Sequence, residues 1–310
     1  MATTDSRPVA LVVGASRGIG RQVAIDLANN GYRLVVAAKS ISTVPQGSPF
    51  PPDPNSSEST ITTVQREIRE NGGEASAIQV DVRDPASVKR MVDSTIGIYG
   101  RLDVIVYNSG AIWWASVENT PMKRFLLMQQ VNVEGLYATV QAAIPHFQNN
   151  GWKARIIVVS PPIYSRFFRG KTAYAMGKVG MSVLTKGLAM DWIREGKQQM
   201  AITSIWPAAA IQSAATPDPS YIQDLRKATI FSDSILAMLR SPAEEVNGCL
   251  ELDEDFLRKK GITDFSKYSV VPGANPRRIM PAQLPDLRVA EHDDEGMRLD
   301  STELRRTSKI

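Results

Sequence analysis

The 310-residue chain holds one cysteine, Cys249, and two histidines, His146 and His292. One thiol excludes an internal disulfide, and a reducing compartment fits best. These three side chains are too few for a usual zinc site, so no metal is expected. No apolar run approaches the roughly 20 residues that a membrane helix needs. Charge of one sign is also scarce, with 36 basic residues against 32 acidic ones. A net charge of +4 spread along the chain argues against a nucleic-acid partner. The polar start, Met1 to Pro8, leads straight into a strand and does not read as a secretory signal.

What is present is an ordinary globular composition, 43% hydrophobic and 22% charged. The length suits one α/β sheet with helices on both faces. Val9 to Val13 reads as a strand and runs into Gly14-Ala-Ser16-Arg17-Gly18-Ile19-Gly20. An amphipathic pattern follows and stops near Asn30-Gly31. Strand, glycine loop and helix form the context of a phosphate site, because free N–H groups at the helix start bind its charge. The second strand, Tyr32 to Ala38, ends at Lys39 with no acid there. A carboxylate at that point would hold ribose hydroxyls, whereas a base accommodates a 2′-phosphate. Lys39 and Arg17 therefore point to NADP(H) as cofactor.

Residues 41–60 are rich in Pro and Ser, and no packed element is expected there. Asp81, beside Val82, ends a strand on the ligand side of such a sheet, within reach of an adenine amino group. Asp84-Pro85 reads as the start of a helix. Leu102 to Val106 is the fourth strand, followed by Asn108-Ser109-Gly110, a candidate floor for the cofactor. Pro121 to His146 reads as one long helix. In it, Asn132 is either a satisfied core amide or part of a proton relay. Arg155 to Val159 is a buried strand ending in Ser160. Tyr174 and Lys178 lie four apart on a helix, so the phenol and ammonium share a face. A fixed cation there should pull the tyrosine pKa down, towards acid–base work. Met200 to Trp206 is the sixth strand, and Gly248 to Leu252 the last. Beyond Pro272 the chain reads as tail, ending Ser308-Lys309-Ile310, one residue from a peroxisomal Ser-Lys-Leu address.

These motifs, in this order, resemble the short-chain dehydrogenase/reductase family. The match runs over residues 8–255. Stretches such as Val159-Ser-Pro-Pro162 and Leu252-Asp-Glu-Asp255, shared with one peroxisomal branch, extend it to about residue 273. The resemblance implies a single doubly wound parallel sheet of Rossmann type. Residues 1–273 would form the domain, 8–110 its cofactor half and 111–273 its catalytic and substrate half, with 274–310 a polar tail. It implies that Tyr174 exchanges a proton with the substrate oxygen and that Lys178 holds the nicotinamide ribose. Ser160 would bond the substrate carbonyl, Asn132 would keep a relay water, and Ile211 and Ser213 would sit near the carboxamide. It also implies a homodimer or homotetramer through the helices at 121–148 and 172–195.

Three motifs depart from the family pattern. Tyr107 and Ser109 stand where Asn and Ala are usual, and Pro207 is followed by Ala208 rather than Gly. Pro161 occupies the place of the usual serine. The expected activity is NADP(H)-dependent interconversion of a ketone and a secondary alcohol on a large apolar substrate. Trp113, Trp114, Phe167, Phe168 and residues 208–235 would line its pocket. Non-redox use of the fold, as a binding protein or a dehydratase or isomerase, and reduction of an activated C=C bond are the alternatives. A cytoplasmic or peroxisomal location is expected.

Overall fold

The computed structural model describes residues 5–43, 49–51, 53–216 and 218–287. His292 and the Ser308-Lys309-Ile310 end lie outside them. The chain alternates strands and helices: β1 Val9–Val13, α1 Gly18–Asn29, β2 Arg33–Ala38, α2 Ile61–Glu70, β3 Ala75–Gln79, α3 Pro85–Tyr99 and β4 Val104–Tyr107. There follow α4 Met122–Met128, α5 Gly135–Asn149, β5 Ala154–Val159, α6 Thr172–Arg194, β6 Met200–Trp206, α7 Thr229–Arg240, α8 Ala243–Val246, β7 Leu250–Leu252 and α9 Asp253–Lys259. All seven strands are parallel, in the order β3-β2-β1-β4-β5-β6-β7. The doubly wound sheet is thus the one expected.

A parallel sheet must be covered on both faces, so its strands are apolar throughout. β1 shows how this is done. Ala10 and Val12 join a core with Val23 and Leu27 of α1, Ile61 and Val64 of α2 and Phe231 of α7. Val9, Leu11 and Val13 turn to the other face, against Met91 of α3, Phe147 of α5 and Trp192 of α6. Asp84 caps α3 by accepting from Ala86 N at 2.9 Å, with Pro85 next. The strand order reverses between β1 and β4, and such a reversal opens a crevice at the strands' C-terminal ends.

The helix expected from Pro121 to His146 is instead interrupted. Gln129–Glu134 is a π-helical stretch between α4 and α5, with Asn132 in it. A π turn shifts the hydrogen-bond ladder by one residue. The freed Val131 carbonyl accepts from the Tyr107 hydroxyl at 2.6 Å. Gly135 makes room for this, since a Cβ there would collide with that hydroxyl. Tyr107, unusual for the family, thereby satisfies its buried oxygen. Residues 274–287 lie against the body of the protein. Ile279 N donates to Ala208 O at 2.7 Å, and Met280 is buried.

Candidate active site

The glycine loop and the Asn108-Ser109-Gly110 turn meet in the crevice. Gly14 is left-handed, at φ 89°, and a Cβ on it would lie 2.6 Å from Ser109 N. Asn108 Nδ2 donates to Gly14 O at 3.0 Å, tying the ends of β1 and β4 together. Ile19 packs on the core, and Val82 is buried against Gly135. Gly110 leaves open the space above the second functional cluster: a Cβ there would lie 3.3 Å from Lys178 Nζ and 3.4 Å from Asn132 Oδ1. The first N–H groups of α1 have no intrahelical acceptor. These N–H groups suit a dinucleotide pyrophosphate, and Asn55 and Ser213 border the loop, 3.4 Å and 3.6 Å from where a Cβ on Gly18 would lie.

Residues 53–60 correct the expectation of an unpacked 41–60 stretch. The Pro54 carbonyl accepts from Gly18 N at 3.3 Å, and Ser59 Oγ donates to Ser16 O at 2.7 Å. Thr60 caps α2 in a reciprocal box with Thr63. Polar side chains that serve the backbone hold this segment against the glycine loop, with no strand or helix. Past β2 and β3, Asp81 accepts from Lys39 Nζ at 3.2 Å and from Arg83. The Arg83 guanidinium holds the Asp81 carboxyl well below the usual carboxylate range. The Arg17 side chain has no hydrogen bond or ion pair among the described residues.

Gly20→Ala tests the cradle directly. The added methyl would collide with the Gly14 carbonyl and sit 2.6 Å from Asn108 Nδ2. Overpacking at such a point costs about 1–3 kcal/mol. The expected result is a lower Tm together with loss of NADPH fluorescence enhancement. Full NADPH binding by a stable variant would exclude this loop as the phosphate site.

Tyr174 and Lys178 share one face of α6, as their spacing requires, and are 2% and 3% exposed. The Tyr174 ring lies 6.2 Å from Trp114 and 6.1 Å from Phe167. Its hydroxyl makes no hydrogen bond among the described residues. Lys178 Nζ donates to Val159 O at 2.8 Å and lies 5.6 Å over the Trp206 ring. Burial pushes the lysine down to about 7 and the tyrosine up. The lowered tyrosine expected from the spacing is therefore not the state of this structure. Desolvation outweighs a neighbouring ammonium that is itself close to neutral.

Asn132 lies beside Lys178 and bonds both polar groups of Ala111. Its Oδ1 accepts from Ala111 N at 2.9 Å, and its Nδ2 donates to Ala111 O at 3.2 Å. Ser160 is 0% exposed. Ser182 Oγ lies 2.9 Å from Ser160 Oγ and donates to Pro161 O at 2.6 Å. Trp113 packs against the cluster that holds Tyr174 and Phe167, with the Arg124 guanidinium 4.6 Å from its ring, and Ile211 turns its side chain into the core.

The sequence reading missed what supports the segment after β6. Ala208 N donates to buried Asp253 at 2.8 Å, and Arg226 brackets Ala210 and Gln212 through backbone bonds. Arg226 is in turn paired with Glu254 at 2.8 Å inside the protein. The acidic run Asp253-Glu254-Asp255 was the available signal. Burial pushes Asp253 up to about 7.

Trp114, Ala210, Tyr221, Leu225 and Ile279 wall a cavity of about 500 Å³ beside Tyr174. This arrangement suits proton exchange at one phenol, next to a dinucleotide cradle and under an apolar wall. Known proteins are similar to the chain over most of its length. Hydroxysteroid dehydrogenase-like protein 2 of Danio rerio is 35% identical over 267 residues, 84% of this chain and 60% of its own length. The Homo sapiens protein of that name is 33% identical over the same shares. The chain thus spans well under two thirds of these relatives. A short chain dehydrogenase structure from Mycobacterium thermoresistibile has a TM-score of 0.76 at 32% identity, covering 87% of this chain and 93% of its own. The short chain dehydrogenase family profile matches residues 55–216, just over half of the sequence, and the chain belongs to that family of oxidoreductases.

Proposed function

We propose that this protein is an NADP(H)-dependent oxidoreductase that interconverts a ketone and a secondary alcohol on a fairly large apolar substrate. The observation that carries this is Tyr174, its ring buried between side chains that include Trp114 and Phe167 next to Lys178, and its hydroxyl without a hydrogen bond among the described residues. A bound NADP(H) supplies the hydride. Tyr174 gives or takes the proton at the substrate oxygen. Lys178 holds the ribose beside it, and Asn132 steadies the turn at Ala111 that borders both. The domain reading, residues 1–273 with 274–310 as tail, and a cytoplasmic or peroxisomal location belong to the same proposal.

NADPH oxidation against a panel of hydrophobic ketones tests it, with product analysis to separate ketone from C=C reduction. Ser160→Ala belongs in that assay. Loss of an oxyanion donor costs about 10²–10³ in rate. Because Ser160 is closed off from the crevice and bonded to Ser182, the expected loss is under about tenfold, the effect of a structural hydroxyl. A loss of a hundredfold or more would restore Ser160 as the carbonyl donor.

Cofactor choice rests on Arg17 and Lys39, the bases beside the loop and at the end of β2. Arg17→Ala is expected to raise KM for NADPH about tenfold or more, the size of one lost charge-assisted bond. NADH should be unaffected. Equal effects on both cofactors would remove the 2′-phosphate role.

Assembly as a homodimer or homotetramer is part of this reading. Met176, Val183 and Met190 recur every seven residues along α6, all exposed, with Tyr137 exposed on α5. Residues seven apart share one helix face, and an exposed apolar stripe is what a second copy covers.

A further inference from the structure

Lys171 sits at the start of α6, three residues before Tyr174, in a place with no carboxylate. Its ammonium lies 4.2 Å over the Phe167 ring and 5.7 Å over the Trp114 ring. Those two rings flank Tyr174. Lys171 has no hydrogen bond from its side chain and no ion pair among the described residues. It is also partly withdrawn from water, and burial lowers its pKa. A desolvated cation with no counter-charge is costly, and proteins pair such groups or use them.

The surroundings strengthen the case. Lys171 lines a cavity of about 320 Å³ with Arg166, Phe167, Arg278, Ile279 and Met280 among its walls. Among the described residues, three cations and no carboxylate line this space. Arg278 is already neutralised by Asp255, which it meets through two bonds of 2.7 Å. Among the described residues, the Arg166 side chain bonds only the Tyr164 hydroxyl, at 3.0 Å. Two positive charges are therefore left for a ligand. Arg278 and Ile279 also wall the apolar cavity of about 500 Å³ that holds Trp114. Two compartments thus adjoin at Ile279, one apolar and one cationic. Tyr174 stands between Trp114, a wall of the first, and Phe167, a wall of the second.

We propose that Lys171 and Arg166 form an anion subsite for the substrate. The substrate class is an oxo-carboxylic acid: an apolar chain, a carbonyl at Tyr174, and a carboxylate a few carbons further on. The subsite deepens the ketone–alcohol reading given above and rests on it for the carbonyl alone. Lys171 recognises substrate charge and takes no part in the proton transfer.

Binding and turnover separate the two ideas. Isothermal titration calorimetry on the full chain would compare decanoate with decanamide, which has the same chain without the charge. The wild type is expected to bind decanoate at least about tenfold more tightly, the size of a charge-assisted contact. Lys171→Met should bring the two ligands to parity by weakening decanoate alone. Arg166→Ala should lose part of the preference, and Lys171→Arg should keep most of it. Equal binding of the two ligands by wild type, binding of neither, or an unchanged preference in Lys171→Met would each overturn the subsite. Turnover of neutral ketones without any preference for acids would leave the reductase reading standing and remove the subsite. A carboxylate preference in binding, with no NADPH oxidation on any oxo acid or ketone, would do the reverse.

Discussion

Tyr174→Phe is expected to lower kcat by about 10²–10⁴-fold, the usual contribution of a positioned acid or base, while Tm stays within about a degree. The two halves of that result have one cause. The phenol oxygen has no hydrogen-bond partner among the described residues, so its removal leaves no orphaned group inside the protein. The ring keeps its contacts with Trp114 and Phe167. Burial pushes the phenol up, so Tyr174 is protonated at neutral pH and ready to donate to a forming alkoxide. Ketone reduction should accordingly show no Tyr174 titration around neutrality, where Lys178, pushed down to about 7, is the group of this pair that titrates. Alcohol oxidation needs the phenolate and should speed up with pH through the alkaline range. Stopped-flow rates in both directions check this. A variant that keeps more than about a tenth of wild-type kcat would remove Tyr174 as the acid.

How much of this was legible beforehand differs by element. Strand ends were clear where apolar runs met glycine or a polar residue, as at Val13-Gly14 and Trp206-Pro207, because a parallel strand must be apolar on both faces. The seven strands were legible as apolar runs between helical patterns, whereas their order across the sheet is a fact of the fold. The π turn at Gln129–Glu134 was not legible, since it changes hydrogen-bond partners without changing hydrophobic period. Residues 53–60 were misread for a related reason. Their packing uses Pro54, Ser59 and Thr60 to meet backbone groups, and composition records only that they are polar. The pair at Tyr174 and Lys178 was visible by spacing, but the sense of the tyrosine shift was not. Spacing gives proximity, while burial, set by rings far away in sequence, decides which protonation state is stable.

Lys178→Met is expected to stabilise the ligand-free protein at pH 7 and to destabilise it near pH 10.5. In the fold Lys178 is pushed down to about 7, whereas a free lysine titrates near 10.5. Below pH 7 both folded and unfolded chains carry the proton, so the full cost of burying the ammonium falls on the folded state. Between pH 7 and 10.5 the unfolded chain binds more protons, so wild-type stability rises with pH. Above 10.5 both are neutral and the cost is gone. At pH 7 the methionine relieves a penalty of a few kcal/mol. Against this stands the lost bond to the Val159 carbonyl, about 1–3 kcal/mol. Near pH 10.5 only that loss remains, so the difference changes sign. Asp253, itself pushed up to about 7 by burial, titrates in both proteins and cancels in the comparison. NADPH should raise the Tm of wild type more than that of the variant, because the gain grows with affinity and the variant lacks the ribose contact. Tm measured from pH 6 to 10.5, with and without NADPH, decides the matter. A wild type more stable than the variant at every pH would mean that Lys178 is held for the fold, and a variant that gains as much Tm from NADPH as wild type would mean that the ribose is held elsewhere. The predicted crossing fits a side chain kept at a cost to the empty protein for the ligand it receives.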